Sequence, residues 1–296
     1  MNEKIDKYLS TLNRSPRTIG TYRWALEYYF DVIGLVVVND LAYENFLDAI
    51  KGLALSSRRV MVSAVMGFYD FYDIGNPAAR VKLNHHYLSR TKFKPVNFDR
   101  EAIEKVISYC DTLRDDLMGL RDRAFVLTMA DSGFRISELC GLKRNDVDWL
   151  NQRVPIVGKG DKPALVRLST RSIEALRDYL ALRDKESFNG RPLFSASMFA
   201  QHGNVSVVKP MTADGMRKAI KQRMTEAGVD NGRIRIHDFR HYFVTVALIS
   251  SNNLKVAQEL ARHESTATTQ RYAHLNETEL DQTYDQIFNR KNNENK

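Results

Sequence analysis

The sequence predicts a mainly α-helical chain with one small β-hairpin, divided between two domains. Three observations carry this reading. The chain has 296 residues, about twice an ordinary domain. Apolar residues recur at helical spacing through most of its length. A β-branched strand pattern around a glycine-rich turn is confined to one short stretch near the middle.

The elements follow in order. Ser15-Pro16 supplies an N-cap and a first-turn proline, Tyr22, Leu26, Tyr29, Phe30 and Ile33 share the next helical face, and Gly34 marks the stop. A second helix is predicted over 40–53. A third starts at Ser56-Ser57 and carries Met61, Val65, Phe68 and Phe71 along one stripe until Gly75-Asn76-Pro77. These stripes read as the core of a helical bundle. Arg58 and Arg59, in the first turn of that helix, oppose its macrodipole unless an anion lies close by. Residues 81–97 are basic and aperiodic, so the division is a domain over 1–83, a linker over 84–97 and a second domain over 98–296. Helices return over 99–110 and 116–131. The hairpin pairs Arg153–Val157 with Ala164–Leu168 across Gly158-Lys159-Gly160-Asp161; a helix over 170–183 and a mostly helical stretch over 212–287 complete the chain.

Composition narrows the class of function. Lys and Arg exceed Asp and Glu by 44 to 36, giving a net charge of +8 that favours a polyanionic partner. No apolar run approaches the roughly 18 residues that a membrane-spanning helix needs, and the charged N-terminus lacks a signal-like apolar region. The two cysteines, Cys110 and Cys140, make neither a disulfide framework nor a cysteine zinc site. A cytoplasmic protein is expected.

The chemistry-bearing residues are weak singly and informative together. Arg135 follows Gly133 at the junction of two helices, and Lys159 sits at the hairpin tip. His237 and Arg240 are three apart and so share a helical face. His263 and Tyr272 follow. Arginine forks grip phosphate oxygens without losing charge, lysine and histidine move protons, and tyrosine is a nucleophile. Such a set suits a phosphodiester. No Asp/Glu cluster suggests a two-metal site, with Glu138 isolated, and no Walker-type loop appears.

The segments D-S-G-F-R-I-S-E-L-C-G-L around Arg135, V-G-K-G-D-K at Lys159, H-D-F-R-H from His237 and E-L-A-R-H-E-S-T-A-T-T-Q-R-Y-A-H up to His274 resemble the tyrosine recombinases, or phage integrase family, in order and spacing. The N-terminal S-P-R-T-I-G-T-Y and N-P-A are similar to the DNA-clamping, core-binding domain of Xer-type members. The resemblance implies a helical clamp followed by an α+β catalytic domain, with no metal, ATP or other cofactor. Arg135 and Arg240 would hold the scissile phosphate, and Tyr272 would attack it to leave a 3′-phosphotyrosyl link and a free 5′-hydroxyl. Lys159 would protonate the leaving oxygen, His237 would assist proton transfer at the tyrosine hydroxyl, and His263 would hydrogen-bond a phosphate oxygen. Arg17, Arg58, Arg59, Lys162 and Arg262 are the candidate DNA contacts. The implied partner is duplex DNA with short inverted-repeat core sites. A homotetramer on two duplexes, passing through a Holliday junction, would be joined by a tail helix over 277–288. Two departures stand out: Ala261-Arg262-His263 replaces the usual Leu-Gly-His, leaving Arg262 to meet either DNA or an acidic neighbour, and Asp238-Phe239 alters the second motif. Alternative readings are a catalytically silent DNA-binding relic and a type IB topoisomerase-like nicking-closing enzyme.

Overall fold

A computed structural model describes residues 1–34, 40–75, 95–157, 163–185, 187–188, 191–192, 196–201, 209–230, 232–263 and 266–272. The chain divides into two compact units, Met1–Lys92 and Phe93–Lys296.

The first unit comprises α1 (Asn2–Ser10), α2 (Pro16–Ile33), α3 (Asp40–Ala49) and α4 (Leu55–Phe71). Its longest helix begins as the sequence dictates. The Ser15 hydroxyl accepts the Thr18 amide at 3.3 Å, Pro16 opens the first turn, and Gly34 ends the helix at φ +64°. Leu26, Tyr29, Phe46, Val65 and Phe68 are buried together, with Tyr29 edge-on to Phe46 at 4.9 Å between ring centroids. One polar pair lies inside, the hydroxyls of Tyr29 and Tyr69 at 2.9 Å. Two expectations need correction. The helix of α3 stops at Ala49 in a turn rather than running to 53. Phe71 is 38% exposed, because the last turn of α4 overruns the core and leaves its ring against Tyr8 at the rim.

The second unit holds α5 (Arg100–Asp111), α6 (Leu117–Ser132), α7 (Ile136–Gly141), β1 (Arg153–Val157), β2 (Pro163–Arg167) and α8 (Thr170–Lys185). It continues with a two-residue pair, β3 (Ser187–Phe188) and β4 (Arg191–Pro192), then α9 (Ala213–Glu226), α10 (Asp238–Ser251), α11 (Leu254–Ala261) and α12 (Thr266–Gln270). The centre is α6, started by the Asp116 carboxylate on the Gly119 amide at 2.6 Å and packed against α5, α8 and α10. It is buried nearly all round, as a central helix must be. β1 and β2 pair antiparallel, with Arg153 opposite Arg167 and Val157 opposite Pro163, which sets the second strand one residue earlier than expected. The β3–β4 pair has no sequence signal, being too short to show alternation.

The far end of the expected linker is anchored. Val96 is buried with Tyr272, Val244 and Leu248, and its amide donates to the Arg271 carbonyl at 3.0 Å. Most of that linker, Lys159, Lys162 and the predicted tail helix over 277–288 lie outside the described residues. No described helix is long and apolar enough to cross a membrane.

Candidate active site

The site is assembled around the end of α6. Gly133 closes that helix in the left-handed conformation, φ +62°, where a Cβ would stand 2.4 Å from the Phe243 ring, so conformation and space both require glycine. The tight reversal sets Arg135 at the N-cap of α7. There the Glu138 carboxylate accepts the Arg135 amide at 2.8 Å and its guanidinium Nη1 at 2.7 Å, the carboxylate half of a capping box closed by the side chain three residues on. Glu138 is held as a carboxylate: burial works against the charge, but the Arg135 amide and the guanidinium groups of Arg262 and Arg135 outweigh it and lower its pKa. The sequence reading weighed Glu138 only as a metal ligand and did not foresee this role beside Arg135. Its position three after Arg135 was the available signal.

Arg240 lies in the first turn of α10 and is 3% exposed. Its guanidinium donates to two main-chain carbonyls, Gly133 and Ala261, and to no carboxylate among the described residues. Burial, with the nearby charges of Arg135 and Arg262, pushes its pKa down to about 10, so it stays charged at neutral pH.

Arg262, by contrast, turns inward to an acidic neighbour. Both terminal nitrogens reach Glu138 Oε2 at 3.2 Å, one also reaches the Gly133 carbonyl at 3.2 Å, and the guanidinium lies 5.5 Å over the Phe134 ring.

The nucleophile candidate is enclosed. Tyr272 is 2% exposed, its amide donates to the Thr269 carbonyl at 2.9 Å, and its hydroxyl lies in hydrogen-bond contact with Nδ1 of His241. Burial raises this phenol to about 12 although Arg240 and Arg271 pull it down. The group at the hydroxyl is thus His241 and not His237, whose ring is one step back, 4.7 Å edge-on to that of His241. Spacing alone offered a hint, since residues four apart on α10 share a face. His263 bonds Thr269 Oγ1 through Nδ1 at 2.9 Å and its ring lies 6.5 Å from that of Tyr272. Burial, more than the surrounding cations and His237, lowers His241 and His263 to about 4; His237 is lowered by burial and then Arg240. All three are neutral near pH 7.

Five of the six predicted site residues are thus described: Arg135, His237, Arg240, His263 and Tyr272 all fall in the second unit around α6, α10 and α11. Beside His237 opens a cavity of 510 Å³ floored by Ile136, Met224 and Ile234 and edged by Arg217, Lys221 and Arg235. Those three cations are absent from the sequence-based set. In the first unit Arg17 is exposed on α2, and Arg58 and Arg59 are half-buried early in α4.

Comparison with known proteins accords with this geometry. Residues 97–279 match the model of the Phage integrase family. The chain is 30% identical to the tyrosine recombinase XerC of Vibrio parahaemolyticus serotype O3:K6 over 264 residues, covering 87% of this chain and 79% of the relative. It is 30% identical to XerC of Vibrio campbellii over 259 residues, with 86% and 76% covered. Among solved structures, the XerH site-specific recombinase bound to difH substrate in a pre-cleavage complex has a TM-score of 0.68 at 22% identity, over 93% of this chain and 80% of that one. The XerA recombinase has a TM-score of 0.51 at 24% identity over 97% and 98%. With the motif residues drawn together as described and relatives matching over most of both chains, this protein belongs to the phage integrase family, as a Xer-like tyrosine recombinase.

Proposed function

We propose that this chain is a site-specific DNA recombinase that cuts and rejoins strands through a 3′-phosphotyrosyl intermediate. The observation that carries the reading is the contact of the Tyr272 hydroxyl with His241, beside a buried Arg240 that bonds main-chain carbonyls and no described carboxylate. A phosphodiester seated against Arg135 and Arg240 meets two fixed guanidinium groups, which stabilise the charge that grows on its non-bridging oxygens during displacement. His241 is unprotonated, so its Nδ1 accepts the hydroxyl proton as the Tyr272 oxygen bonds to phosphorus. His263 contributes a further hydrogen bond to a phosphate oxygen. Lys159, assigned from its motif, gives a proton to the departing 5′-oxygen. Reversal by the 5′-hydroxyl of another strand conserves the phosphodiester without ATP.

Tyr272 is shut in with Val96, Val244 and Leu248, so attack requires the segment after α12 to shift when DNA binds. The proposed partner is duplex DNA with short inverted-repeat sites, clamped with help from Arg17, Arg58, Arg59 and Lys162 and bound by four copies on two duplexes. Arg262 is left out of the DNA contacts because its guanidinium is engaged within the protein.

The test is covalent trapping. Nicked duplexes from a randomised pool are incubated with the protein in EDTA without ATP, then run on denaturing and native gels. The expected result is a denaturation-resistant adduct lost in Tyr272→Phe while the native shift persists. A shift without any adduct from the wild-type chain would identify a silent DNA-binding protein instead.

A further inference from the structure

Arg262 occupies a position where the family's usual residue is glycine, and its backbone shows why glycine suits it. It caps α11 in the left-handed conformation, φ +56°, which costs a side-chain-bearing residue roughly 1 kcal/mol. The side chain is 9% exposed, lies over Phe134, and bonds both Glu138 and the Gly133 carbonyl.

These two acceptors also hold the phosphate-binding pair. Glu138 offers Oε1 to the Arg135 guanidinium at 2.7 Å and Oε2 to Arg262, while the Gly133 carbonyl receives Arg240 as well as Arg262. Without Arg262, the Glu138 carboxylate would be bonded by Arg135 alone and would offset more of the field of Arg135 and Arg240. With it, three fixed cations face one carboxylate. We propose that Arg262 is a positioning residue for strand cleavage: it takes up the charge of Glu138, fixes the Gly133–Arg135 turn, and so leaves Arg135 and Arg240 free to stabilise the doubly charged pentacoordinate phosphate. This rests on the recombinase reading above and adds to it a residue that the family motif does not contain. The same crowding of cations helps to lower Arg240.

The experiment compares the full-length wild type with Arg262→Gly and Arg262→Lys on a nicked duplex chosen from the pool for wild-type adduct formation. Single-turnover adduct formation is measured with an ordinary scissile phosphate and with a neutral methylphosphonate in its place, beside a thermal melt. The expected Arg262→Gly variant stays folded and melts close to the wild-type temperature, the relieved backbone offsetting part of the lost side-chain contacts, yet cleaves the phosphate about tenfold more slowly, the value of a little over 1 kcal/mol of lost charge stabilisation. Arg262→Lys restores part of the rate. On the methylphosphonate, which develops less charge, the gap between wild type and Arg262→Gly closes. A residue that merely supports the fold would lower the melting temperature and slow both substrates alike, and that result overturns the proposal, as does an Arg262→Gly variant with the wild-type rate on phosphate. A wild-type chain that yields no adduct from the pool removes the recombinase reading and this inference together, whereas an adduct with an unimpaired Arg262→Gly removes this inference alone.

Discussion

Two sets of buried arginines in the second unit behave differently. Along α6 and α8 each guanidinium has a carboxylate: Arg121 bonds Asp122 at 2.7 Å, Arg123 reaches Asp111 at 3.0 Å and Asp178 at 3.1 Å, and Arg183 meets Asp184 at 3.1 Å while also donating to the Ser197 and Met198 carbonyls. At the junction of α6, α10 and α11, Arg240 is as deeply buried yet rests on carbonyls alone, with Arg135 and Arg262 adding like charge. A buried charge is tolerated when paired and costly when not. The first group is architecture, satisfied from within; the second shares the single carboxylate of Glu138 and is the group proposed to meet a phosphate. The contrast locates the proposed phosphate site without reference to any motif.

The largest expected effect on stability sharpens that contrast. Arg121→Met leaves the 1%-exposed Asp122 with only Arg223, at 2.9 Å, and is expected to cost about 3 kcal/mol in denaturant unfolding. A loss under about 1 kcal/mol would put Arg121 outside the architectural group.

Gly133→Ala comes next. It forces a left-handed alanine into the Phe243 ring and is expected to cost about 2 kcal/mol. It also displaces the carbonyl that holds Arg240 and Arg262, so adduct formation should fall with stability. An alanine variant that cleaves normally would mean that this carbonyl does not organise the site.

The smallest concerns pH. His241 and His263 have folded values lowered to about 4 from the ordinary 6.5, so between those values the unfolded chain binds protons more tightly. Their contribution is complete above about pH 6.5 and is lost as pH falls toward 4. After discounting for partial solvent access, each histidine should account for about 1 kcal/mol at pH 5. Urea unfolding at pH 7 and pH 5 measures the total, and His241→Gln should remove its share. The same pH dependence in wild type and variant would take His241 out of the buried set.

Legibility in the sequence followed locality. Ser15-Pro16 with Gly34 and Asp116 with Gly133 mark helix ends through contacts spanning a few residues, and those boundaries fell within one or two positions of the observed ones. His237 with Arg240, and Arg135 after its glycine, were readable for the same reason. What sequence could not supply were contacts closed by the fold. The role of Glu138 beside the arginines was hidden because one of its partners, Arg262, lies 124 residues away. His241 meets Tyr272 across 31 residues, whereas the resemblance pointed only to His237 for proton transfer at the hydroxyl. Val96 was taken as linker because its anchor, the Arg271 carbonyl, comes from the opposite end of the unit. Phe71 kept the helical period but lay one turn past the core it was expected to enter.

The most direct test of the contrast is Arg240→Met. Methionine fits a buried site and removes a charge that no described carboxylate bonds, so the fold should survive the loss of two carbonyl contacts while the proposed phosphate site loses its deepest cation. Single-turnover adduct formation at a temperature where wild type and variant are both folded is the measurement. A rate lowered by at least roughly 100-fold, the usual loss for one donor to a developing oxyanion, is the predicted result. A variant that cleaves at close to the wild-type rate would contradict the account, and Arg240 would then belong with Arg121, Arg123 and Arg183 as part of the architecture.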